Sequence, residues 1–175
     1  GSIVDALCGG VCGILVGLVM RFLDARRAGP FFNTLAASFF MSLLAYGLNA
    51  AGLCPNPNAA NIGALMILVP GLIFTNAMRD ILYGDTNSGV NRIVQVLLLA
   101  AAIALGTAGA WNVSSFLWGM PVSVPDITYP VWMQCLFSLI GCIGFSILFN
   151  IHGPGTAIST LGGVLSWFVY CMVAR

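Results

Sequence analysis

The sequence LVPGLIFTNAMRD, residues 68–80, interrupts an apolar run with a Pro-Gly pair and then adds Thr, Asn, Arg and Asp. The run around it is long enough to cross a bilayer, which takes about 20 helical residues. Pro70 lacks the N–H that would bond the carbonyl of Met66, and its ring crowds that same carbonyl. Gly71 then lets the backbone open without a side-chain penalty. The stretch predicts a membrane helix that is broken at Pro70 and exposes a carbonyl.

The depth of this break follows from helix geometry. If the helix begins near Ala60, Pro70 lies ten residues along it, roughly 15 Å at 1.5 Å per residue and about half of a ~30 Å hydrocarbon core. A carbonyl exposed at the midplane is tolerated only where helices, hydroxyl groups or a water-lined cavity satisfy it. The depth is therefore compatible with a binding site at the break.

The residues after the break are spaced to form one polar face of a helix. Thr75 and Arg79 are four residues apart, as are Asn76 and Asp80. A half-helix that starts after Pro70 would point its positive N-terminal dipole at the midplane, where it could hold a carboxylate. The Met66 carbonyl could meet an ammonium group. The candidate substrate-binding residues are Met66, Pro70, Gly71, Thr75, Asn76 and Arg79.

A plainer interpretation of the same residues stays open. Proline kinks occur in many membrane helices purely as packing devices. Arg79 and Asp80 would then be charges at the end of a span, in the membrane interface.

Composition places the whole chain in the membrane. The 175 residues are 59% hydrophobic and 6% charged, and the mean hydropathy is +1.00. These values lie far outside the range of soluble globular proteins. The net charge of +1 gives no basic field for nucleic acid. No Ser-His-Asp set, metal-binding pattern or phosphate loop is present, so we predict neither an enzyme nor a cofactor or metal site.

Six apolar runs could span the bilayer as helices, since the period-2 pattern of barrel strands is missing. We therefore predict an all-α polytopic membrane bundle. Residues 1–112 hold four spans, residues 113–130 form an outer-surface connection rich in Trp, Tyr, Pro and Ser, and residues 131–175 hold two more spans. The predicted spans are residues 3–23, 31–53, 60–78, 93–111, 131–149 and 155–173.

The arginines predict the orientation. Arg21, Arg26 and Arg27 flank the first connection, and Arg79 and Arg92 flank the third. By the positive-inside rule these connections are cytoplasmic and the first residue lies outside. An outer N-terminus suggests a preceding span that this sequence lacks.

Small and polar residues elsewhere predict helix packing. Gly9, Gly13 and Gly17 form a double GxxxG ladder that allows a close neighbour. The cysteines are interpreted as small apolar packing residues, and His152 as a turn residue. Four polar residues of the second span either close a cavity or form interhelical hydrogen bonds: Asn33, Ser38, Ser42 and Asn49.

A weak internal repeat is also visible. Residues 8–22 and 161–175 share a Gly-Gly-Val core and an apolar continuation ending near Arg. On the predicted topology the two copies run in opposite directions, which is the pattern of an inverted-repeat transporter.

Residues 68–106 resemble the signature region of the threonine/serine exporter family, the ThrE type. Its pattern is roughly PG-x-x-x-T-N-x-x-R-D-x-x-x-G-D, followed by a helix rich in small residues. Residues 3–27 and 31–40 look like the preceding spans of that family, and residues 136–170 look like the start of its second half. The matching positions are Pro70, Gly71, Thr75, Asn76, Arg79, Asp80, Gly84 and Asp85.

The resemblance implies ten spans in two inverted sets of five, of which this chain looks like spans two to seven. It further implies a multi-pass protein of the bacterial cytoplasmic membrane that works with a missing half or partner subunit, with a homo-oligomer as an option. The implied activity is proton-coupled export of threonine and serine, or of dicarboxylates in some relatives. A non-transporting membrane scaffold is the alternative from another class.

The resemblance also assigns roles to charged residues. Asp80 and Asp85 become the candidates for proton coupling, since membrane carboxylates that lose water often have a raised pKa; both could instead be solvated flank charges. A zwitterion would use Arg79 or the half-helix end for its carboxylate, and Asp80 or the Met66 carbonyl for its ammonium. A dicarboxylate would use Arg79 and Arg92.

Overall fold

The structure is a computed structural model that describes residues 3–27, 29–119, 130–148, 151 and 153–173. Every regular element in these ranges is an α-helix, which confirms the predicted all-α bundle. The seven helices are α1 (Ile3–Ala25), α2 (Pro30–Ala50), α3 (Pro57–Leu65), α4 (Gly71–Leu82), α5 (Thr86–Trp118), α6 (Val131–Leu148) and α7 (Pro154–Val173).

The chain divides into two compact units, Gly1–Pro125 with α1 to α5 and Asp126–Arg175 with α6 and α7. Within the described ranges, four helices are long and apolar enough to cross a membrane, namely α1, α2, α5 and α7. Helix α6 is apolar but shorter. The third predicted span consists of two short helices, α3 and α4.

The predicted break in the third span is present. Helix α3 begins three residues before Ala60, at Pro57, where the side chain of Asn56 accepts a hydrogen bond from the Ala59 N–H at 3.1 Å. It ends at Leu65, and α4 begins at Gly71, directly after Pro70. The span is interrupted at this point because a proline cannot donate the hydrogen bond that would continue the helix.

Helix α5 is longer than the span predicted from the sequence. Its 33 residues extend about 50 Å at 1.5 Å per residue, well beyond a ~30 Å hydrocarbon core. Residues 113–118, which we assigned to the outer-surface connection, continue this helix to Trp118. It ends where Gly119 adopts a φ of +56°, a backbone conformation that favours glycine. The rest of that connection, residues 120–129, lies outside the described ranges.

Helix α2 lies at the centre of the first unit. It packs against α1, α3 and α5, and α4 packs against α5. Two of the three glycines in the predicted ladder pack against other segments. Gly9 faces Ala60 of α3 and Gly13 faces Ile67 in the break, whereas Gly17 has no close neighbour. The buried apolar core contains Cys12, Val16, Ala37, Met41, Ala45, Ala64 and Leu68.

The cysteines act as the packing residues that we predicted. All six thiols are free, and Cys8, Cys12, Cys54 and Cys171 are buried.

In the second unit α6 packs against α7.

Candidate functional site

The break leaves several carbonyls open. The Val69 N–H donates to the Leu65 carbonyl at 3.2 Å, and the Gly71 N–H donates back to the Val69 carbonyl at 2.8 Å. No backbone N–H in the described part of the chain donates to the carbonyls of Met66, Ile67 or Leu68. For Met66, residue 70 would normally supply the donor, but proline has none. The geometry therefore matches the exposed carbonyl predicted from the sequence.

Helix α4 presents three of the predicted residues on its exposed face. The side chains of Thr75, Asn76 and Arg79 are all exposed. The Thr75 hydroxyl donates to the Gly71 carbonyl at 3.0 Å, one turn earlier on the same helix. The guanidinium of Arg79 lies over the ring of Tyr83, 5.6 Å from its centroid, in a cation–π contact. This face offers amide and guanidinium donors to a ligand.

Asp80 contacts α5 through its carboxylate. Its Oδ2 atom accepts a hydrogen bond from Ser88 Oγ at 3.1 Å and lies 3.3 Å from Arg92 Nη1. The contact between the helices is close, because a Cβ atom on Gly89 would lie 2.9 Å from the carbonyl of Ala77. Asp80 is therefore paired with α5, and its place on the polar face predicted from the spacing stays a prediction.

Asp85 begins α5. Its side chain caps the helix by accepting a hydrogen bond from the Ser88 N–H at 3.3 Å. Gly84, with a φ of +93°, allows the sharp turn from α4 into this cap. Ser88 thus donates to both predicted proton-coupling residues, through its N–H to Asp85 and through its hydroxyl to Asp80.

Sequence reasoning missed Ser88 as part of this site. Its position three residues after Asp85 follows the usual spacing between an N-cap residue and the N–H that it binds, so the link to Asp85 was detectable. The ion pair between Asp80 and Arg92 joins two helices, so it could not be detected from the sequence.

Two of the four polar residues predicted on α2, Ser42 and Asn33, form hydrogen bonds to other helices, one of the two roles that we left open. Ser42 Oγ donates to Asn61 Oδ1 of α3 at 2.9 Å, and both residues are buried. Asn61 also hydrogen-bonds Tyr46, whose ring packs against that of Trp111 on α5. Asn61 is a second residue that the sequence did not single out.

The other three of these four residues also form hydrogen bonds within the first unit. Ser38 Oγ donates to the Leu35 carbonyl of its own helix at 3.0 Å and lies 3.5 Å from the carbonyl of Ala102 on α5. Asn33 donates to Asp24 at the end of α1. Asn49 Nδ2 donates to the carbonyl of Cys54 at 2.7 Å, in the connection between α2 and α3. All four side chains are therefore engaged within the first unit.

Asp5 is a buried carboxylate that the sequence did not assign to a site. Its side chain is 4% exposed, and its Oδ1 atom accepts a hydrogen bond from the Asn56 N–H at 2.9 Å. The Cys54 thiol lies 3.8 Å from the same oxygen. Burial, followed by the neighbouring Cys8 and Asp5, raises the pKa of Cys54 from 9.0 to about 12. Asp5 thus fixes the start of α3 to α1.

No cluster of three or more His, Cys, Asp or Glu side chains that could hold a metal ion occurs in the described ranges. His152 lies outside these ranges.

The fold and the site define a multi-pass α-helical membrane protein with a broken helix in its first unit. Residues 1–114 match the sequence model of the family described as "ThrE: Putative threonine/serine exporter". The match covers α1 to α4 and most of α5, and the chain belongs to this family. Searches of curated proteins and of solved structures found no significant match.

Proposed function

We propose that this chain is the core of a secondary transporter that exports threonine and serine across the cytoplasmic membrane of a bacterium, coupled to protons. Membership of the exporter family supports the substrate class. The observation that carries the proposal is the helix break at residues 66–70, which leaves the Met66 carbonyl without a backbone donor. A membrane helix tolerates such a group where a polar ligand or cavity satisfies it.

The break supplies both kinds of group that a zwitterion needs. The open Met66 carbonyl accepts from the substrate ammonium, and the N-terminus of α4, which starts at Gly71, attracts its carboxylate. Pro70 creates both features in one step. Thr75, Asn76 and Arg79 continue the polar surface of α4 away from the break and supply further donors and acceptors.

Proton coupling is assigned to the carboxylates after the break. Asp80 is the stronger candidate, because its side chain is partly exposed and pairs with Arg92 across two helices, so that its charge affects how α4 and α5 are held together. Asp85 is the second candidate, and its protonation would weaken the cap of α5. Alternating access would move the two halves of an inverted repeat about the break, with the other half supplied by further spans or a partner subunit.

The proposal is tested with the full-length protein in proteoliposomes. Efflux of labelled threonine is measured with and without a pH gradient, beside Asn76→Ala. The matched control is Asn112→Ala, which removes another exposed asparagine, on α5. We expect gradient-stimulated efflux that Asn76→Ala reduces and Asn112→Ala does not. Export of succinate without export of threonine would overturn the proposal in favour of dicarboxylates.

A further inference from the structure

The ion pair between Asp80 and Arg92 lies at one end of the broken span. Asp80 is ten residues beyond Pro70, about 15 Å along α4 at 1.5 Å per residue. This end faces the side that the arginine distribution predicts to be cytoplasmic. A substrate that is to be exported arrives on that side, so it meets the ion pair before it reaches the break.

The pair is accessible and incompletely satisfied. The side chain of Asp80 is 24% exposed and that of Arg92 is 43% exposed. Their contact joins one guanidinium nitrogen to one carboxylate oxygen, Nη1 to Oδ2 at 3.3 Å, which is longer than a good charge-assisted hydrogen bond. A guanidinium carries five N–H donors in a planar fork that suits a carboxylate with both oxygens engaged. A ligand carboxylate could therefore bind Arg92 in a better geometry than Asp80 does.

We infer that Asp80 and Arg92 form a capture site for a zwitterionic amino acid, whose ammonium replaces Arg92 on Asp80 and whose carboxylate replaces Asp80 on Arg92. This inference rests on the proposed function and adds to it a second recognition point, separate from the break. Charge is conserved in the exchange, because one internal ion pair gives way to two between protein and ligand. Each charged group thus keeps a partner throughout.

The neighbouring residues support this assignment. Ser88 Oγ holds Asp80 Oδ2 from α5, which keeps the carboxylate in place when Arg92 turns to the ligand. Arg79 is the other arginine close in sequence, but it lies over Tyr83 on the exposed face of α4. Arg92 is therefore the carboxylate-binding residue of this site, whereas the sequence suggested Arg79 or the half-helix end for the carboxylate of a zwitterion.

The arrangement has consequences for coupling and for selectivity. A proton on Asp80 removes the charge that attracts the ammonium, so the proton and the substrate compete for one group. Such competition is what a transporter needs if it exchanges protons for substrate across the membrane. The charged and titratable groups near Asp80 are Arg92 and Asp85 on the α5 side, and Arg79 and Tyr83 on α4. A dicarboxylate is disfavoured, because its second carboxylate would face Asp80.

The test measures equilibrium binding to the purified full-length protein with three probes. Threonine carries both charges, threonine amide keeps the ammonium, and N-acetylthreonine keeps the carboxylate. We expect Arg92→Gln to weaken threonine binding about tenfold or more, from the loss of charge-assisted hydrogen bonds, while threonine amide is affected little. Asp80→Asn should weaken the binding of threonine and of threonine amide, and it should leave the binding of N-acetylthreonine unchanged or make it tighter. It should also remove the competition between threonine and protons.

Controls separate this pattern from misfolding and from failure of the proposed function. Arg92→Lys keeps the charge and should recover part of the lost affinity, whereas Arg21→Gln and Asp24→Asn, both on α1, should bind like the parent. The capture site is wrong, and the exporter assignment stands, if the parent binds threonine but Arg92→Gln weakens the binding of all three probes equally. The same conclusion follows if Arg92→Gln weakens the binding of none of them. If the parent binds no threonine, the exporter assignment fails and takes the capture site with it.

Discussion

Gly106 of α5 lies directly against the backbone of Leu35 on α2. A Cβ atom at Gly106 would lie 2.7 Å from the Leu35 carbonyl oxygen and 3.0 Å from the Phe39 nitrogen, and it would also overlap Ser38 Oγ. The serine side chain can rotate away, but the backbone atoms can move only with the helix. This close contact between α2 and α5 therefore depends on Gly106.

Gly106→Ala should separate these two helices and lower the free energy of unfolding by about 1–3 kcal/mol, the usual cost of overpacking. The measurement is unfolding of the purified protein in mild detergent, followed by the loss of helical circular dichroism. Gly17→Ala is the matched control, because a Cβ atom there would meet nothing within 4 Å. Alanine is also the better helix former, so Gly17→Ala should be neutral or slightly stabilising. Equal effects of both changes would contradict the proposed close packing.

The parts of the fold that local chemistry controls could be predicted from the sequence. The break at Pro70 is an example, because the missing N–H and the ring act on the residue four positions earlier whatever surrounds them. The bundle itself follows from hydropathy and from the need to satisfy backbone groups in lipid. These rules need no knowledge of which helices are neighbours.

Features that depend on helix neighbours could not be predicted in the same way. Asp80 and Asn76 share a helical spacing, yet Asp80 faces α5 because Ala77 and Gly89 bring the two helices together on that side. Spacing along one helix shows which residues share a face, but not which face meets another helix. The end of α5 was placed too early because the composition of residues 113–118 is interfacial while their backbone stays helical.

Asn61→Ala should destabilise the first unit. The change removes the acceptor of the Ser42 hydroxyl and the hydrogen bond to Tyr46, and it leaves buried polar groups unsatisfied between α2 and α3. We expect a loss of about 1–3 kcal/mol in the free energy of unfolding. Asn76→Ala is the control, since its side chain is exposed and its removal should change stability by less than about 0.5 kcal/mol. A larger effect at Asn76 than at Asn61 would mean that the network is not structural.

Asp5→Ala should loosen the start of α3. Asp5 Oδ1 accepts the Asn56 N–H at 2.9 Å, and the carboxylate is 4% exposed, so truncation removes a buried acceptor. The expected cost is again about 1–3 kcal/mol in thermal or denaturant unfolding. Asp5→Asn keeps one carbonyl oxygen in nearly the same place and should recover part of the loss. If Asn is as damaging as Ala, the contribution of Asp5 is its charge and not this hydrogen bond.

Cys54 should resist alkylation while the protein is folded. Its side chain is fully buried, and its pKa is raised from 9.0 to about 12 by burial, with Cys8 and Asp5 adding to the effect. The thiolate is the reactive form, so a single-cysteine variant that retains Cys54 should react slowly with iodoacetamide even at a pH where an ordinary thiol is ionised. The corresponding variant that retains the half-buried Cys135 is the control and should react faster. Denaturation should bring both rates together.

The same raised pKa fixes the sign of a stability effect at alkaline pH. Below pH 9.0 the Cys54 thiol keeps its proton in both the folded and the unfolded chain, so its contribution to stability does not change with pH. Between pH 9.0 and about 12 the unfolded chain loses this proton while the folded chain retains it. Ionisation therefore stabilises the unfolded state relative to the folded state. Stability should therefore fall as the pH rises through this window, and Cys54→Ala should reduce the slope of unfolding free energy against pH. An unchanged slope would show that Cys54 ionises as readily in the folded protein as in the unfolded chain.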